Sequence, residues 1–360
     1  MKMIQLKKVN ITPRQAEILE LVRKKEKAGN KEIKKRLESV WGEVSRVTVA
    51  RETEKMVKAG FLLREGKGRN VLYKEKETNP LFRSFDVEKY FKIDPDRRKA
   101  VLERFNFKIF DYFSQGLLSE AEKEKLEKLN EGCQRRIEKL SPAVLKREFE
   151  RLTVELSWKS SQIEGNTYTL IDTEILIKEH KEAKGHSKDE AVMILNHKKA
   201  VDYILDKRND FGKLTLPKIE NIHQLIIEGL GVERNIRKRP VGVTGTKYRP
   251  LDNQFQIREA LEKVCLVVNS GKLSPLEKSL AAIVLISYIQ PFEDGNKRTA
   301  RILGDAILWT NNFCPLSYRS IDESDYKKAT LLFYEQNSIS LFKELFIEQF
   351  KFAVDDYFLG

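Results

Sequence analysis

Apolar side chains in the first part of the chain recur at helical spacing and then switch to a strand-like pattern. Over residues 12–27 they fall at Ala16, Ile18, Leu19, Leu21 and Val22, one helical face, with Thr12 placed to cap and Pro13 in the first turn. Asn30 is placed to cap a second helix over 31–37. A third begins at Ser45 and runs through Val47, Val49, Ala50, Met56 and Val57 to a stop at Gly60. Residues 61–64 and 70–73 are expected strands, joined by a glycine-rich basic tip at 65–69.

Periodicity is lost over 79–94, where Asn-Pro and Asp-Pro steps mark a connection, and a boundary is placed near 79. Residues 95–140 return to charged helical patterns, expected as solvated helix with i,i+4 ion pairs and no chemistry. Ser141 and Pro142 open another helix, and 189–205 and 218–229 are amphipathic helices. Residues 237–252 alternate short apolar and polar side chains around glycines, the pattern of a hairpin. Ser274, Pro275 and Glu277 then form a strong helix start, and the helix that follows is apolar all round, through Leu280, Ala281, Ile283, Val284, Leu285 and Ile286. Such a helix is a buried, rigid support for what comes after it. Pro291 cannot continue it, Gly295 permits a turn, and a new helix is expected from Lys297 through Ile302, Leu303, Ala306, Ile307 and Leu308. The predicted fold is mainly α, in three parts: 1–78, a helical connecting region 79–140, and a helical domain 141–360.

Composition changes this picture in one respect. Of the net charge of +13, residues 1–78 carry +10, from 21 Lys and Arg against 11 Asp and Glu, so the basic excess belongs to the N-terminal domain and points to a polyanionic partner there. The three cysteines are isolated and odd in number, which suggests neither a disulfide framework nor a zinc site. No apolar run reaches membrane-spanning length and no secretory signal opens the chain, so the expected location is the cytoplasm, with no membrane partner. His180, His186, His197 and His223 make no metal-ligand spacing and are expected to be surface or core residues.

The chemistry concentrates in residues 290–301, Gln-Pro-Phe-Glu-Asp-Gly-Asn-Lys-Arg-Thr-Ala-Arg. A helix start favours phosphate, Arg298 and Arg301 share a helical face and could grip successive phosphates, and Asp294 is placed to hold a divalent cation bridging them. Nucleotide binding is the natural expectation. The run resembles the Fic family signature, His-Pro-Phe-x-Asp/Glu-Gly-Asn-Gly/Lys-Arg-x-x-Arg. It departs at its first position, where the family's general-base histidine is Gln290, an amide that cannot take a proton from a hydroxyl near neutral pH. Upstream, Ser160, Glu164 and Gly165 match the Ser/Thr-x-x-x-Glu-Gly/Asn inhibitory motif of one class of that family, on a helix expected around 153–165.

The resemblance implies a Fic-type helical core and transfer of AMP from ATP to a Ser, Thr or Tyr hydroxyl of a protein or of the chain itself. Asp294 would bind Mg²⁺, Gly295, Asn296 and Lys297 would lie at the phosphates, and Arg298 and Arg301 would hold the outer ones. Glu164 would pair with Arg301 and keep the terminal phosphate out of place. Segment 237–252 would be a β-hairpin flap that docks an extended target, through Val243, Thr244, Gly245 and Thr246, although an ordinary hairpin closing the core uses the same residues. With Gln290 at the base position, transfer is expected to be weak or absent. Lys297 matches a phosphorylating branch of the family, but that branch lacks Arg301.

Residues 10–76 resemble a winged helix-turn-helix. Double-stranded DNA is then the expected partner, with Ser45, Arg46, Thr48 and Arg51 at base edges and Lys67 and Arg69 at phosphate or minor groove; protein docking is the other use of such a module. An alternative function follows: an ATP-sensing, DNA-binding regulator built on a catalytically degenerate Fic core. A homodimer is compatible with either function.

Overall fold

The computed structural model describes residues 11–25, 27–76, 79–99 and 101–359. The chain divides into two compact units: Met1–Glu103 with Thr244–Tyr248 and Glu335–Ser340, and Arg104–Val243 with Arg249–Tyr334 and Leu341–Gly360.

In the first unit, α1 (Pro13–Lys25), α2 (Asn30–Trp41) and α3 (Arg46–Lys58) precede strands β2 (Leu62–Glu65) and β3 (Leu72–Glu75). Thr12 and Gln15 bond reciprocally at the start of α1, the capping expected of Thr12. A two-residue strand β1 (Ala28–Gly29), not foreseen from the sequence, pairs antiparallel with β3 and completes a sheet of order β1-β3-β2. Gly29 rather than Asn30 is the cap of α2, which runs four residues past its expected end at Leu37. The second strand of the hairpin starts later than expected, because Gly68–Asn70 form a 3₁₀ turn and Leu72 is the first paired residue. Ile18, Leu19, Val22, Ile33, Leu37, Val49, Met56, Phe61 and Tyr73 make one buried cluster, so the helical stripes and the strands serve a single core.

The rest of this unit corrects two expectations. The connection over 79–94 contains a helix, α4 (Val87–Phe91), capped by Asp86, and 98–99 and 101–103, expected to be helical, are irregular. Arg98 accounts for part of that: it is buried beside Tyr90 and Phe91 and donates from Nη1 to Glu335 Oε1 at 2.9 Å and to the Gly245 carbonyl at 3.1 Å. Long-range bonds of this kind override a local charge pattern.

The second unit is helical: α5 (Ile109–Phe113), α6 (Glu120–Ile137), α7 (Pro142–Gln162), α8 (Leu170–Glu179), α9 (Lys188–Asp206), α10 (Leu216–Ile227), α11 (Gln254–Val268), α12 (Pro275–Ile289) and α13 (Asn296–Thr310), followed by α14 (Glu323–Gln336) and α15 (Ser340–Asp356). Among the described residues, no helix is long and apolar enough to cross a membrane. The core is α12 packed on α13. A side chain at Gly304 would strike Ile283 Cδ1 at 2.6 Å, so glycine there is what lets the two helices approach.

The expected hairpin at 237–252 is corrected: no strand ladder forms within it, only a turn at Thr244 and Gly245 and an isolated bridge between Arg249 and Arg104. Pro240 and Pro250 lack the N–H that a ladder needs, and Gly242 and Gly245 weaken strand pairing.

Candidate functional site

Residues 290–301 form the junction between two buried helices. The Ser274 cap of α12 is reciprocated by Glu277, and the helix ends when Gln290 turns left-handed at φ 50°. Gly295, at φ 76°, is the cap of α13; a Cβ there would lie 3.0 Å from Ile227 Cγ2, so both its conformation and its packing call for glycine. Between them Asn296 braces the loop. Its Oδ1 accepts from the Phe292 N–H at 2.8 Å, and its Nδ2 donates to the Phe292 carbonyl at 2.8 Å and to Gln290 Oε1 at 3.2 Å. The Asn296 side chain is thus engaged with the loop, and Asn296 is the first residue of α13.

Phe292 is buried and stacks on His223 of α10 at 3.6 Å between ring centroids and 7° between planes. His223 Nε2 donates to the Asp294 carbonyl at 3.0 Å, which fixes the tautomer. Burial, with help from Arg298, pulls the His223 pKa down to about 4, so the ring is neutral. Nothing in the spacing of the sequence singled out His223, because it acts from a helix some seventy residues upstream; the hydrophobic Ile222 and Ile226 around it are consistent with the core placement it has.

Three cations begin α13. Arg298 is 2% exposed; its Nη2 donates to Asp294 Oδ2 at 2.9 Å, and its buried Nη1 has no hydrogen-bond partner among the described residues. Arg301 is wholly buried and donates from Nε to Ser160 Oγ at 2.8 Å and from Nη2 to the Ser160 carbonyl at 2.8 Å and Glu164 Oε1 at 2.9 Å. Lys297 takes the other carboxylate oxygen, Glu164 Oε2, at 2.8 Å. Burial pushes the Glu164 pKa up, but Arg301 and Lys297 outweigh it and hold the carboxyl at about 2. Gly165, at φ 99°, closes the turn that ends this stretch of α7. The structure therefore brings Ser160, Glu164, Lys297 and Arg301 into one cluster, with a carboxylate as the anion at its centre.

Gln290 is held rather than free. Its Nε2 donates to the Ser287 carbonyl at 2.7 Å and to Tyr334 Oη at 3.3 Å, while its Oε1 accepts from Asn296. None of these hydrogen bonds of Gln290 involves a histidine. His223 is bonded to the loop backbone, and His186 lies within reach of Thr167 and Glu190. His180 is an exposed helix cap. His197 is fully buried with neither ring nitrogen bonded among the described residues, and burial and the nearby arginines keep it neutral.

Asp294 is an exposed single carboxylate, and no group of three or more His, Cys, Asp or Glu that could hold a metal occurs among the described residues. Val243, Thr244, Gly245 and Thr246 are partly or fully exposed, and the Gly245 carbonyl is taken by Arg98. In the first unit Ser45 caps α3 by accepting from the Thr48 N–H at 3.1 Å, and the two hydroxyls lie 3.0 Å apart. Arg46, Arg51 and Lys67 are exposed, with Arg51 Nε donating to Glu52 at 3.3 Å. The Arg69 side chain lies outside the described residues.

Residues 213–308 match the Fic/DOC family model. The chain is 29% identical over 192 residues to "Protein adenylyltransferase Fic" of Nematostella vectensis, covering 51% of this chain and 43% of that protein. It is 28% identical over 179 residues to the protein of the same name from Culex quinquefasciatus, covering 48% and 35%. The chain thus spans less than half the length of these curated relatives. Its fold is similar to that of Fic-1 from C. elegans, with a TM-score of 0.55 and 17% identity over 65% of this chain and 71% of that one. It is also similar to a Fic domain containing signaling protein from Bacteroides thetaiotaomicron, with a TM-score of 0.54 and 21% identity over 64% and 94%.

Proposed function

We propose, from the premise that residues 213–308 form a Fic/DOC domain, that this chain binds ATP at the start of α13 and is an adenylyltransferase-type protein whose transfer step is impaired at Gln290. The observation that carries the reading is the Glu164 carboxylate seated between Arg301 and Lys297. Two cations, one of them wholly buried, are arranged around an anion, and the chain supplies that anion itself. A phosphate would compete for the same donors, and Arg298 Nη1 offers a further one.

In this reading Arg298 and Arg301 hold the outer phosphates, the backbone of Gly295, Asn296 and Lys297 cradles them, and Ser160 and Glu164 restrain Arg301 until Glu164 is displaced. Asp294 fits Mg²⁺ in the usual way for a nucleotide-borne ion, which takes one or two carboxylates and keeps waters and phosphates for its other positions. The ion would neutralise developing phosphate charge. Gln290 faces the loop with its amide already bonded, and a positioned base contributes roughly 10²- to 10⁴-fold, so nucleotide affinity survives and transfer to a protein hydroxyl, on a target or on the chain itself, is weak. The target would dock on segment 237–252 through Val243, Thr244, Gly245 and Thr246. Titration of Mg²⁺–ATP into the parent chain and Arg298→Ala tests binding, and labelled ATP with Gln290→His tests transfer. Absence of label in both Gln290→His and Gln290→His with Glu164→Gly contradicts the idea that only the base is missing.

A second reading is supported by the first unit. Helices α1 to α3, with β1 between the first two and the β2–β3 hairpin after the third, are the order of a winged helix, and exposed Arg46 and Arg51 on α3 with Lys67 beyond β2 suit a polyanion. We therefore assign residues 1–78 as a DNA-binding domain joined by 79–140 to the domain at 141–360. Binding to duplex DNA that weakens steeply with salt and changes when ATP is added is the expected result; binding indifferent to ATP separates the two functions.

A further inference from the structure

Arg237 is wholly buried, and its guanidinium donates to backbone carbonyls of separate segments of the second unit. Nε donates to the Gln290 carbonyl at 2.7 Å, Nη1 to the Arg239 carbonyl at 2.8 Å, and Nη2 to the Leu251 carbonyl. The Arg237 N–H donates to the Pro291 carbonyl at 3.0 Å. Arg239 and Leu251 are the two ends of segment 240–250, while Gln290 and Pro291 open the signature loop.

Two physical points make this arrangement more than core filling. A side chain meant only to fill space carries no charge, since burying one is costly unless its donors are met. A planar fork also fixes the angles between its acceptors, which a flexible point charge does not. Moreover Gln290 sits at φ 50°, a conformation that a non-glycine residue keeps only when its surroundings hold it. The Gln290 carbonyl is held by Arg237 and its N–H by Ile286, so the backbone pose of the base position depends directly on this arginine.

We propose that Arg237 is a positioning residue that locks the two ends of segment 240–250 to the backbone of residue 290. The place where a target hydroxyl is presented and the residue that faces it are then set by one side chain. The proposal rests on the reading of 237–252 as the target-docking segment. It also predicts that Arg237→Lys does not rescue, because an ammonium reaches one of these carbonyls but cannot span all of them.

The test compares hydrogen–deuterium exchange of the full chain, without ligand, in the parent, Arg237→Lys and Arg237→Gln. The expected result is faster exchange, by about tenfold or more, at 239–243, 249–252 and 290–292 together, with α12 and α13 as protected as in the parent. Unchanged exchange at those segments overturns the proposal, as does a uniform rise that includes α12 and α13, which would make Arg237 a general core residue. A second arm uses the Gln290→His background. There Arg237→Lys is expected to lower the rate of self-labelling from labelled ATP by about tenfold or more while the Kd for Mg²⁺–ATP stays within about threefold; a parallel loss of ATP affinity overturns it. If Gln290→His takes no label at all, the proposed activity fails, and the exchange arm still decides the role of Arg237.

Discussion

The molecule uses basic residues in two opposite ways. On α3 and beyond β2, Arg46, Arg51 and Lys67 stand in solvent, where each interacts weakly with its neighbours and is screened by salt. At the start of α13, Arg298 and Arg301 are 2% and 0% exposed and are matched to named acceptors. The first arrangement suits a partner that is a long array of charges, where many small contacts add. The second suits a compact anion, where one lost donor is felt directly. The difference teaches that net charge locates a surface, whereas burial and geometry locate a site.

The largest expected effect sharpens the buried side of this contrast. Gln290→His is predicted to raise nucleotide transfer by roughly 10²- to 10⁴-fold, measured as label from ATP on protein, with little change in Mg²⁺–ATP affinity. Next comes acid. The Glu164 pKa of about 2 lies below the ordinary 4.5, so its pairing stabilises the fold fully above about pH 4.5 and is lost as pH falls toward 2. Urea melts at pH 6 and pH 3 should show the parent losing about 2 kcal/mol more than Glu164→Gln over that interval. Equal losses would show that the clamp contributes nothing to stability.

Arg298→Ala is predicted to weaken Mg²⁺–ATP by roughly 1.5–3 kcal/mol, the range for hydrogen bonds to charged groups, without unfolding the chain. The smallest effect belongs to the exposed side. Lys67→Ala should leave stability unchanged and reduce the slope of log K for duplex DNA against log salt by about 1, uniformly across sequences. A loss confined to particular sequences would instead make Lys67 a base-reading residue.

Much of the scaffold was legible because local rules and tertiary packing agree there. Ser274, Pro275 and Glu277 announce α12, and the structure shows their reciprocal cap; Thr12 and Ser45 likewise cap the helices they precede. The short strand at Ala28 and Gly29 left no pattern to read, since two residues have no period. Segment 237–252 carried alternation without a ladder, because Pro240 and Pro250 remove donors and Arg237 engages the carbonyls at its ends.

The site itself divides in the same way. The loop at 290–301 shows its chemistry in residue types alone, and the Ser160–Glu164 spacing pairs the two residues, although the helix expected to reach 165 ends at Gln162 and Glu164 lies in the turn after it. Yet that Glu164 meets Arg301 and Lys297 together is a fact of packing between α7 and α13. His223 and Arg237 were illegible for a related reason: each acts through backbone carbonyls of a distant loop, and a carbonyl has no sequence signature.

The central claim is that Glu164 occupies an anion position that phosphate would otherwise share. Its most direct test is calorimetric titration of Mg²⁺–ATP into the parent chain, Glu164→Gly, and Glu164→Gly with Arg298→Ala. The account predicts tighter binding in Glu164→Gly than in the parent, and a loss of roughly tenfold or more when Arg298 is also removed. No binding to Glu164→Gly, or binding that ignores Arg298, would contradict it.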